Sequence, residues 1–253
     1  QTINGKKYLL KDKSKEIKVG PSESMSKSKK NTIDPEKIID NFGADSARLF
    51  ILSDSPPEKD VQWSEEGIVS SFKFIQKLWN LNLLILKEIE KDYPSDFDNQ
   101  LNKTTHEFIK KITFNLENFS YNKIVANLHE IYSILINQIK KKYKKKTLIE
   151  NYGKILIAMS PVIPHFSNEC LKSLNVNNFS WPKYSEDILK EKFINIVVQI
   201  NGKKRALIKT EIDISENNLV EMINKEETLK KYLSEKQIKN KIYIKNKLIN
   251  III

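Results

Sequence analysis

Lysine and hydroxyl side chains alternate in a short segment near the start of the chain. It reads Ser24-Met-Ser-Lys-Ser28 and continues into Lys29, Lys30 and Asn31. Such a loop suits a triphosphate, because its lysines place positive charge where departing pyrophosphate builds up negative charge and its hydroxyls add hydrogen-bond donors. A solvated surface loop is the alternative that composition alone leaves open.

A lysine-rich run at residues 140–146 is a second candidate for contact with phosphate. It follows a predicted amphipathic helix, and its candidate contacts are Lys141, Lys144 and Lys145. Cations at a helix C-terminus also complement the helix dipole and raise solubility. Both interpretations remain open for this run, since phosphate contacts and dipole complementation need the same residue types.

A third group of cations, Lys203, Lys204 and Arg205, directly follows an Asn-Gly pair. Asn-Gly alone satisfies the geometry of a two-residue hairpin turn, so folding does not explain these charges. The chain holds 41 lysines and only two arginines. A solvated hairpin end is the alternative, but an arginine retained in such a chain favours contact with an RNA backbone.

Composition limits the class of protein. Of 253 residues, 40% are hydrophobic, and the formal net charge of +11 favours a polyanionic partner unless the lysines are purely compositional. The single cysteine, Cys170, excludes an internal disulfide and fits a reducing cytoplasm. No run of about 18 apolar residues predicts a membrane span. The three histidines show no ligand spacing, so no metal site is predicted.

Two short helices are expected to position the serine and lysine segment. Asp34-Pro35 predicts a helix start that should end near Gly43. A second helix is predicted at residues 45–52, where Arg48 should form an ion pair that fixes the helix behind the loop. Weak strand-like stretches precede the loop at residues 7–10 and 16–19.

Amphipathic segments then predict an antiparallel helical bundle. A long helix should begin after Ser64, and apolar residues recur at helical spacing in four further segments up to residue 174. Trp79 and the phenylalanine stripes, which include Phe119, are predicted to be core, and Trp63 should pack at the junction with the preceding segment.

Strand periodicity begins at Phe193. Two strands joined at Asn201-Gly202, a helix that begins after Ser215 and a second hairpin make a ββαββ unit. The predicted fold class is mainly α, a helical bundle followed by a small α/β domain. The predicted domain bounds are 1–53, a linker at 54–63, 64–186 and 187–253.

The serine and lysine segment is similar to the Lys-Met-Ser-Lys-Ser signature of class I aminoacyl-tRNA synthetases, and its surroundings resemble the leucyl-tRNA synthetases. The leucyl likeness is carried by Lys29-Lys-Asn-Thr-Ile-Asp-Pro-Glu36, Phe42-Gly-Ala-Asp-Ser-Ala-Arg-Leu-Phe50, Ser53-Asp-Ser-Pro-Pro-Glu-Lys-Asp-Val-Gln-Trp63 and Val198-Gln-Ile-Asn-Gly-Lys-Lys-Arg205. Ser24 departs from the signature, which begins with lysine, so one of two loop charges is absent.

The resemblance implies roles for these residues. Lys27 would be catalytic in leucyl-adenylate formation, and Ser26, Lys27, Ser28 and Lys29 would contact ATP, with Mg²⁺ accompanying the nucleotide. Residues 1–53 would end a catalytic domain, residues 64–186 would be the anticodon-binding bundle, and the small C-terminal domain would also contact tRNA(Leu). A cytoplasmic monomer is expected.

The resemblance also implies that the chain alone is inactive. It has neither the family's His-Ile-Gly-His-like motif nor a parallel βαβ pattern, so the leucine pocket and the editing site are expected elsewhere. Because the first residue is Gln1, we interpret the sequence as part of a longer chain. The alternatives are a valyl, isoleucyl or methionyl enzyme, a stand-alone RNA-binding module, and an inert helical scaffold.

Overall fold

A computed structural model describes residues 2–3, 6–7, 20–21, 23–97, 99–177, 179–190, 193–233 and 237–253. The chain divides into two compact units, residues 1–184 and 185–253. Two antiparallel strands of two residues each, β1 (Thr2–Ile3) and β2 (Lys6–Lys7), stand at the start. The strand-like stretches predicted at 7–10 and 16–19 lie outside the described residues, apart from Lys7.

Two short helices follow the serine and lysine segment, as predicted. The first, α1 (Pro35–Phe42), is capped by Asp34, whose carboxylate accepts a hydrogen bond of 3.1 Å from the backbone N–H of Glu36. It ends at Gly43, whose φ of +81° is a conformation that glycine adopts without strain. The second, α2 (Ala44–Ser53), begins immediately afterwards.

The predicted helical bundle is confirmed. Its first helix, α3 (Glu65–Lys91), is capped by the Ser64 hydroxyl, which accepts a hydrogen bond of 3.1 Å from the N–H of Gly67. The apolar stripes of the bundle helices pack in one core, because each helix carries apolar residues at helical spacing. The helices that follow α3 are α4 (Gln100–Glu117), α5 (Tyr121–Gln138), α6 (Lys145–Met159) and α7 (Pro164–Ser173).

Two aromatic residues predicted to be core lie at the surface instead. Trp79 is 37% exposed and meets Phe166 of α7 edge to face, with ring centroids 5.2 Å apart, so part of the indole remains open to solvent. Phe119 is 64% exposed, because α4 ends at Glu117 and Phe119 has a φ of +50° that takes it out of the helical register.

The second unit is the predicted ββαββ arrangement. After α8 (Glu186–Leu189), the strands β3 (Phe193–Ile200) and β4 (Lys203–Glu211) form a hairpin, followed by α9 (Glu216–Lys225) and α10 (Glu227–Leu233). A second hairpin pairs β5 (Asn240–Ile244) with β6 (Leu248–Ile252). The strand order is β4-β3-β6-β5, with β3 and β6 parallel.

The turn chemistry of the first hairpin is as expected. Asn201 and Gly202 have φ of +49° and +76°, the left-handed values that a two-residue type I′ turn requires. The sheet packs one face against the helices around Ile196, Ile249 and Leu219, all fully buried. Among the described residues, no helix is long and apolar enough to cross a membrane.

Candidate functional site

Ser26 and Asn31 hold the serine and lysine segment in a closed loop. The backbone N–H of Ser26 donates to Asn31 Oδ1 at 2.9 Å, and Asn31 Nδ2 donates to the carbonyl of Ser24 at 3.4 Å. The Ser26 hydroxyl accepts from the N–H of Lys29 at 3.3 Å and lies 3.1 Å from the Ser28 hydroxyl. The loop therefore has its own framework, in which Ser26 is an organising residue.

The cations of this loop have different surroundings. Lys29 Nζ lies 2.9 Å from Glu23 Oε2, in an exposed ion pair. Lys27 and Lys30 are the ends of a turn in which the N–H of Lys30 donates to the carbonyl of Lys27 at 3.2 Å. Both are exposed, and neither has an ion-pair partner among the described residues. The loop thus presents two lysines to solvent.

The loop offers no set of oxygen ligands for Mg²⁺. Magnesium in proteins is held by carboxylates together with water and substrate phosphates. Glu23 is the nearest carboxylate along the loop and is paired with Lys29. Across the described part of the chain, no three His, Cys, Asp or Glu side chains cluster as a metal site. The described residues of the loop do not fit a resident Mg²⁺.

Asp45 and Arg48 of α2 tie the loop-bearing helices to the bundle. The buried Asp45 carboxylate accepts hydrogen bonds from the N–H groups of His165 (3.3 Å) and Phe166 (2.7 Å), and thereby caps α7. Arg48 donates from Nε to the carbonyl of Val162 (3.1 Å) and from Nη2 to that of Pro161 (2.7 Å). Both residues hold the α6–α7 connection.

The predicted structural role of Arg48 is confirmed, but the predicted ion pair is wrong. Its guanidinium donates to carbonyl oxygens that α6 and its connection leave without helical partners. A planar, multidentate donor suits two neighbouring carbonyls better than a lysine would. This contact accounts for one of the two arginines in the chain.

The lysine-rich run at 140–146 begins at the C-terminus of α5, as predicted, but it continues into the N-terminus of the next helix. The preceding α5 ends at Gln138, Lys144 is the N-cap of α6, and Lys145 begins that helix. Cations are unfavourable at this end of the dipole. The dipole interpretation of Lys144 and Lys145 is therefore wrong.

Carboxylates from the α3–α4 connection cap the N-terminus of α6, where these lysines lie. Asp96 accepts from the N–H of Lys144 at 2.8 Å and from the Thr147 hydroxyl at 2.9 Å, and Asp92 accepts from the N–H of Lys145 at 3.3 Å. These contacts satisfy N–H groups at the start of α6 that have no helical acceptor. The lysine side chains of this turn remain exposed.

Aromatic rings accompany the other lysines of the run. The Nζ of Lys141 lies 5.3 Å from the centroid of Phe97, and the Nζ of Lys142 lies 5.8 Å from that of Tyr93. Phe97 itself is 66% exposed. Exposed aromatic rings beside lysines are the combination that binds nucleic acid through phosphates and base faces.

In the second unit, Arg205 is the extra residue of a β-bulge. Val198 pairs with Ala206 and Gln199 pairs with Lys204, which leaves Arg205 without a partner on β3. Its guanidinium carbon lies 4.5 Å from the ring centroid of Tyr232 in α10. Folding therefore does explain Arg205, contrary to expectation, as a cation–π contact. Lys203 and Lys204 are exposed beside it.

The histidines and the cysteine form no nucleophilic site. Burial raises the pKa of the Cys170 thiol to about 12, so it stays protonated at neutral pH. Burial, together with Lys154 and Lys77 respectively, lowers the pKa of His106 and His129, and His129 stacks on Phe74 at 3.7 Å. His165 contacts the capping carboxylate of Asp45.

Two protein-family models match the regions that carry the candidate residues. A model described as the anticodon-binding domain of tRNA ligase matches residues 98–224, just over half of the chain. The chain belongs to this family of anticodon-binding domains. A second model, tRNA synthetases class I (I, L, M and V), matches residues 19–64, which include the serine and lysine loop.

Individual relatives confirm the leucyl resemblance. A leucine–tRNA ligase of Orientia tsutsugamushi (strain Boryong) is 40% identical over 243 residues, which cover 94% of this chain and 28% of that protein. Another from Wolbachia pipientis subsp. Culex pipiens (strain wPip) is 34% identical over 267 residues, 99% of this chain and 32% of that protein. The chain spans about three tenths of the length of these curated relatives.

A solved structure shares the fold. It is the ternary complex of Agrobacterium radiobacter K84 agnB2 LeuRS with tRNA and LeuAMS, and it matches with a TM-score of 0.67. The match covers 90% of this chain and 30% of that chain at 22% identity, so it shows the fold alone.

Sequence patterns missed the residues that act over long separations. Asp45, Asp92 and Asp96 accept hydrogen bonds from helix N-termini that lie 48 to 121 residues later, and Tyr232 packs on a strand residue. The only local signal is the lack of any side-chain cap in the sequence just before α6 and α7. A helix without its own cap predicts an acceptor from elsewhere in the fold.

Proposed function

We propose that this chain is the part of a leucine–tRNA ligase that supplies an ATP-site loop and tRNA-binding surfaces. In the reaction of the whole enzyme, the leucine carboxylate attacks the α-phosphorus of ATP, leucyl-adenylate forms and pyrophosphate leaves. The 3′-terminal hydroxyl of tRNA(Leu) then displaces AMP. The observation that carries the proposal is the exposed ammonium of Lys27 on a hydrogen-bonded turn, within the segment matched by the class I model.

In this proposal Lys27 is the catalytic residue of the loop. Its ammonium faces solvent and is available to the pyrophosphate part of ATP, where charge grows in the transition state. The hydroxyl of Ser28 and the ammonium of Lys29 are further ATP contacts, the latter once it leaves Glu23. Ser26 acts on ATP through the shape of the loop, because its hydroxyl already accepts from Lys29.

We assign tRNA contact to two cationic surfaces. One is formed by Lys141, Lys144 and Lys145 around the start of α6, where helix stability disfavours lysine and polyanion binding accounts for it. The other is formed by Lys203, Lys204 and Arg205. Stacking on Tyr232 orients the Arg205 guanidinium while its N–H groups can still reach phosphate. We further propose that the protein works as a monomer in the cytoplasm.

Binding of this chain to purified leucine tRNA and valine tRNA, each across a salt series, tests the proposal. We expect leucine tRNA to bind more tightly at moderate salt, with both affinities falling as salt rises. Equal affinities that decrease together as salt rises would show only sequence-independent binding to phosphate. No salt-sensitive binding to either tRNA would contradict the proposal and favour a helical scaffold.

Replacing Lys144 and Lys145 together with alanine should weaken tRNA binding and reduce the slope of log affinity against log salt by about 1 to 2. The fold should not suffer, because the change removes cations from a helix N-terminus. Fluorescence titration at four salt concentrations measures the slope. Lys73→Ala with Lys87→Ala on α3 removes the same charge from exposed positions and is the matched control. Equal slopes in both variants would remove this surface from the proposal.

A stand-alone RNA-binding module is the second candidate. The chain spans only 28% and 32% of the two relatives described, which leaves most of a ligase to be supplied elsewhere. Leucine-dependent ATP–pyrophosphate exchange by the complete protein that contains this chain separates the two candidates. We expect exchange from the complete protein and none from the isolated chain.

A further inference from the structure

Lys30 occupies a backbone conformation that does not suit lysine. Its φ is +53°, in the left-handed region. Among the described residues, seven non-glycine residues have positive φ, and five of them are Asn or Asp, whose short side chains tolerate this region. Phe119 is the other exception. Because strained backbone conformations cluster at functional sites, Lys30 is a candidate for a role that asparagine could not fill.

The loop framework brings Asn31, the residue that follows Lys30, into contact with the position that lacks a lysine. Asn31 bonds to the carbonyl of Ser24 and to the N–H of Ser26, so the chain at residues 30–31 runs alongside residues 24–26. The bond from the N–H of Lys30 to the carbonyl of Lys27 fixes both lysines on one turn. Position 30 therefore directly precedes the residue whose side chain contacts position 24.

The loop lacks one positive charge of the signature, and another of its lysines is engaged in an ion pair. Ser24 is neutral where the class I signature has a lysine, and Lys29 is paired with Glu23 at 2.9 Å. Lys30 is exposed and has no ion-pair partner among the described residues. Lys27 and Lys30 are thus two exposed lysines without an ion-pair partner in the described part of the chain, the number of lysines that the signature provides.

We propose that Lys30 is a second catalytic cation of the loop, which replaces the charge missing at position 24 and binds the departing pyrophosphate together with Lys27. This inference rests on the proposed function. In adenylate formation the leucine carboxylate bonds to the α-phosphorus, the bond between the α-phosphorus and the bridging oxygen breaks, and its electron pair goes to the pyrophosphate that the two ammonium groups stabilise.

Leucine-dependent ATP–pyrophosphate exchange by the complete protein tests the role of Lys30, with Lys30→Asn as the main variant. Asparagine removes the charge but suits a positive φ, so the loop should fold at least as well. We expect the exchange rate to fall about 10-fold or more and the KM for pyrophosphate to rise. Ser24→Lys added to Lys30→Asn should restore most of the rate, because it returns the charge to the signature position.

The outcomes distinguish this inference from the proposed function. Lys59→Asn removes an exposed loop lysine in the linker and should keep the wild-type rate. A Lys30→Asn enzyme as active as that control overturns the inference alone. So does a loss of rate that Ser24→Lys leaves unrepaired, since the role would then not be one of charge. A wild-type protein without exchange overturns the proposed function and this inference with it.

Discussion

Replacing Asp45 with alanine is expected to lower the free energy of unfolding of the helical unit by about 2–4 kcal/mol. The Asp45 side chain is buried and is the acceptor for the N–H groups of His165 and Phe166 at the start of α7. Alanine leaves both N–H groups and the ring nitrogen of His165 without this partner. The loss exceeds that of an ordinary exposed cap because water replaces a buried acceptor poorly.

Urea unfolding followed by tryptophan fluorescence measures this effect. All three tryptophans lie in the first unit, so the signal reports the helical unit and not the small α/β unit. Asp40→Ala on α1 is the matched control, because Asp40 is exposed. The urea midpoint of Asp45→Asn should fall between the midpoints of Asp45→Ala and Asp40→Ala, since an amide keeps one acceptor oxygen. A midpoint for Asp45→Ala equal to that of Asp40→Ala would show that the cap contributes nothing.

Local sequence signals predicted the parts of the fold that depend on neighbouring residues. Asp34 and Ser64 cap the helices that begin directly after them, and Asn201-Gly202 adopts the turn that only such residues favour. The switch from helical to strand periodicity at Phe193 coincides with β3. Each signal lies within a few residues of its effect, so a pattern in the sequence is enough to find it.

Contacts between distant residues could not be predicted in this way. A run of lysines has no apolar periodicity, so nothing in residues 140–146 marks where α5 ends and α6 begins. The helix start is instead set by Asp96, which is 48 residues from Lys144. The same limit applies to Trp79, because its helical spacing indicates a stripe but not how far α7 covers it.

In the candidate loop, the residue types were informative from the sequence but the contacts between them were not. Its residue types predicted phosphate chemistry, and the class I model matches the same segment. The sequence did not predict that the Ser26 hydroxyl is engaged within the loop or that Glu23 pairs with Lys29. Those contacts separate the cations that are exposed for a ligand from the groups that shape the loop.

Replacing Lys27 with alanine is expected to lower the rate of leucine-dependent ATP–pyrophosphate exchange by the complete protein about 100-fold, on the scale of a removed transition-state donor. The KM for leucine should change little, because the ammonium acts on pyrophosphate. Lys27→Arg keeps the charge but changes its shape, and should retain part of the rate.

The effect of Lys27→Ala should be confined to catalysis. Lys27 is exposed, and its hydrogen bond to Lys30 uses the backbone carbonyl, which alanine retains. Unfolding in urea and tRNA binding should therefore match the wild type, as they should for Lys37→Ala on α1, an exposed lysine 79% accessible to solvent. A Lys27→Ala enzyme with the exchange rate of that control would mean that the loop cation takes no part in adenylate formation. The Lys27 side chain would then be no more than part of a solvated loop.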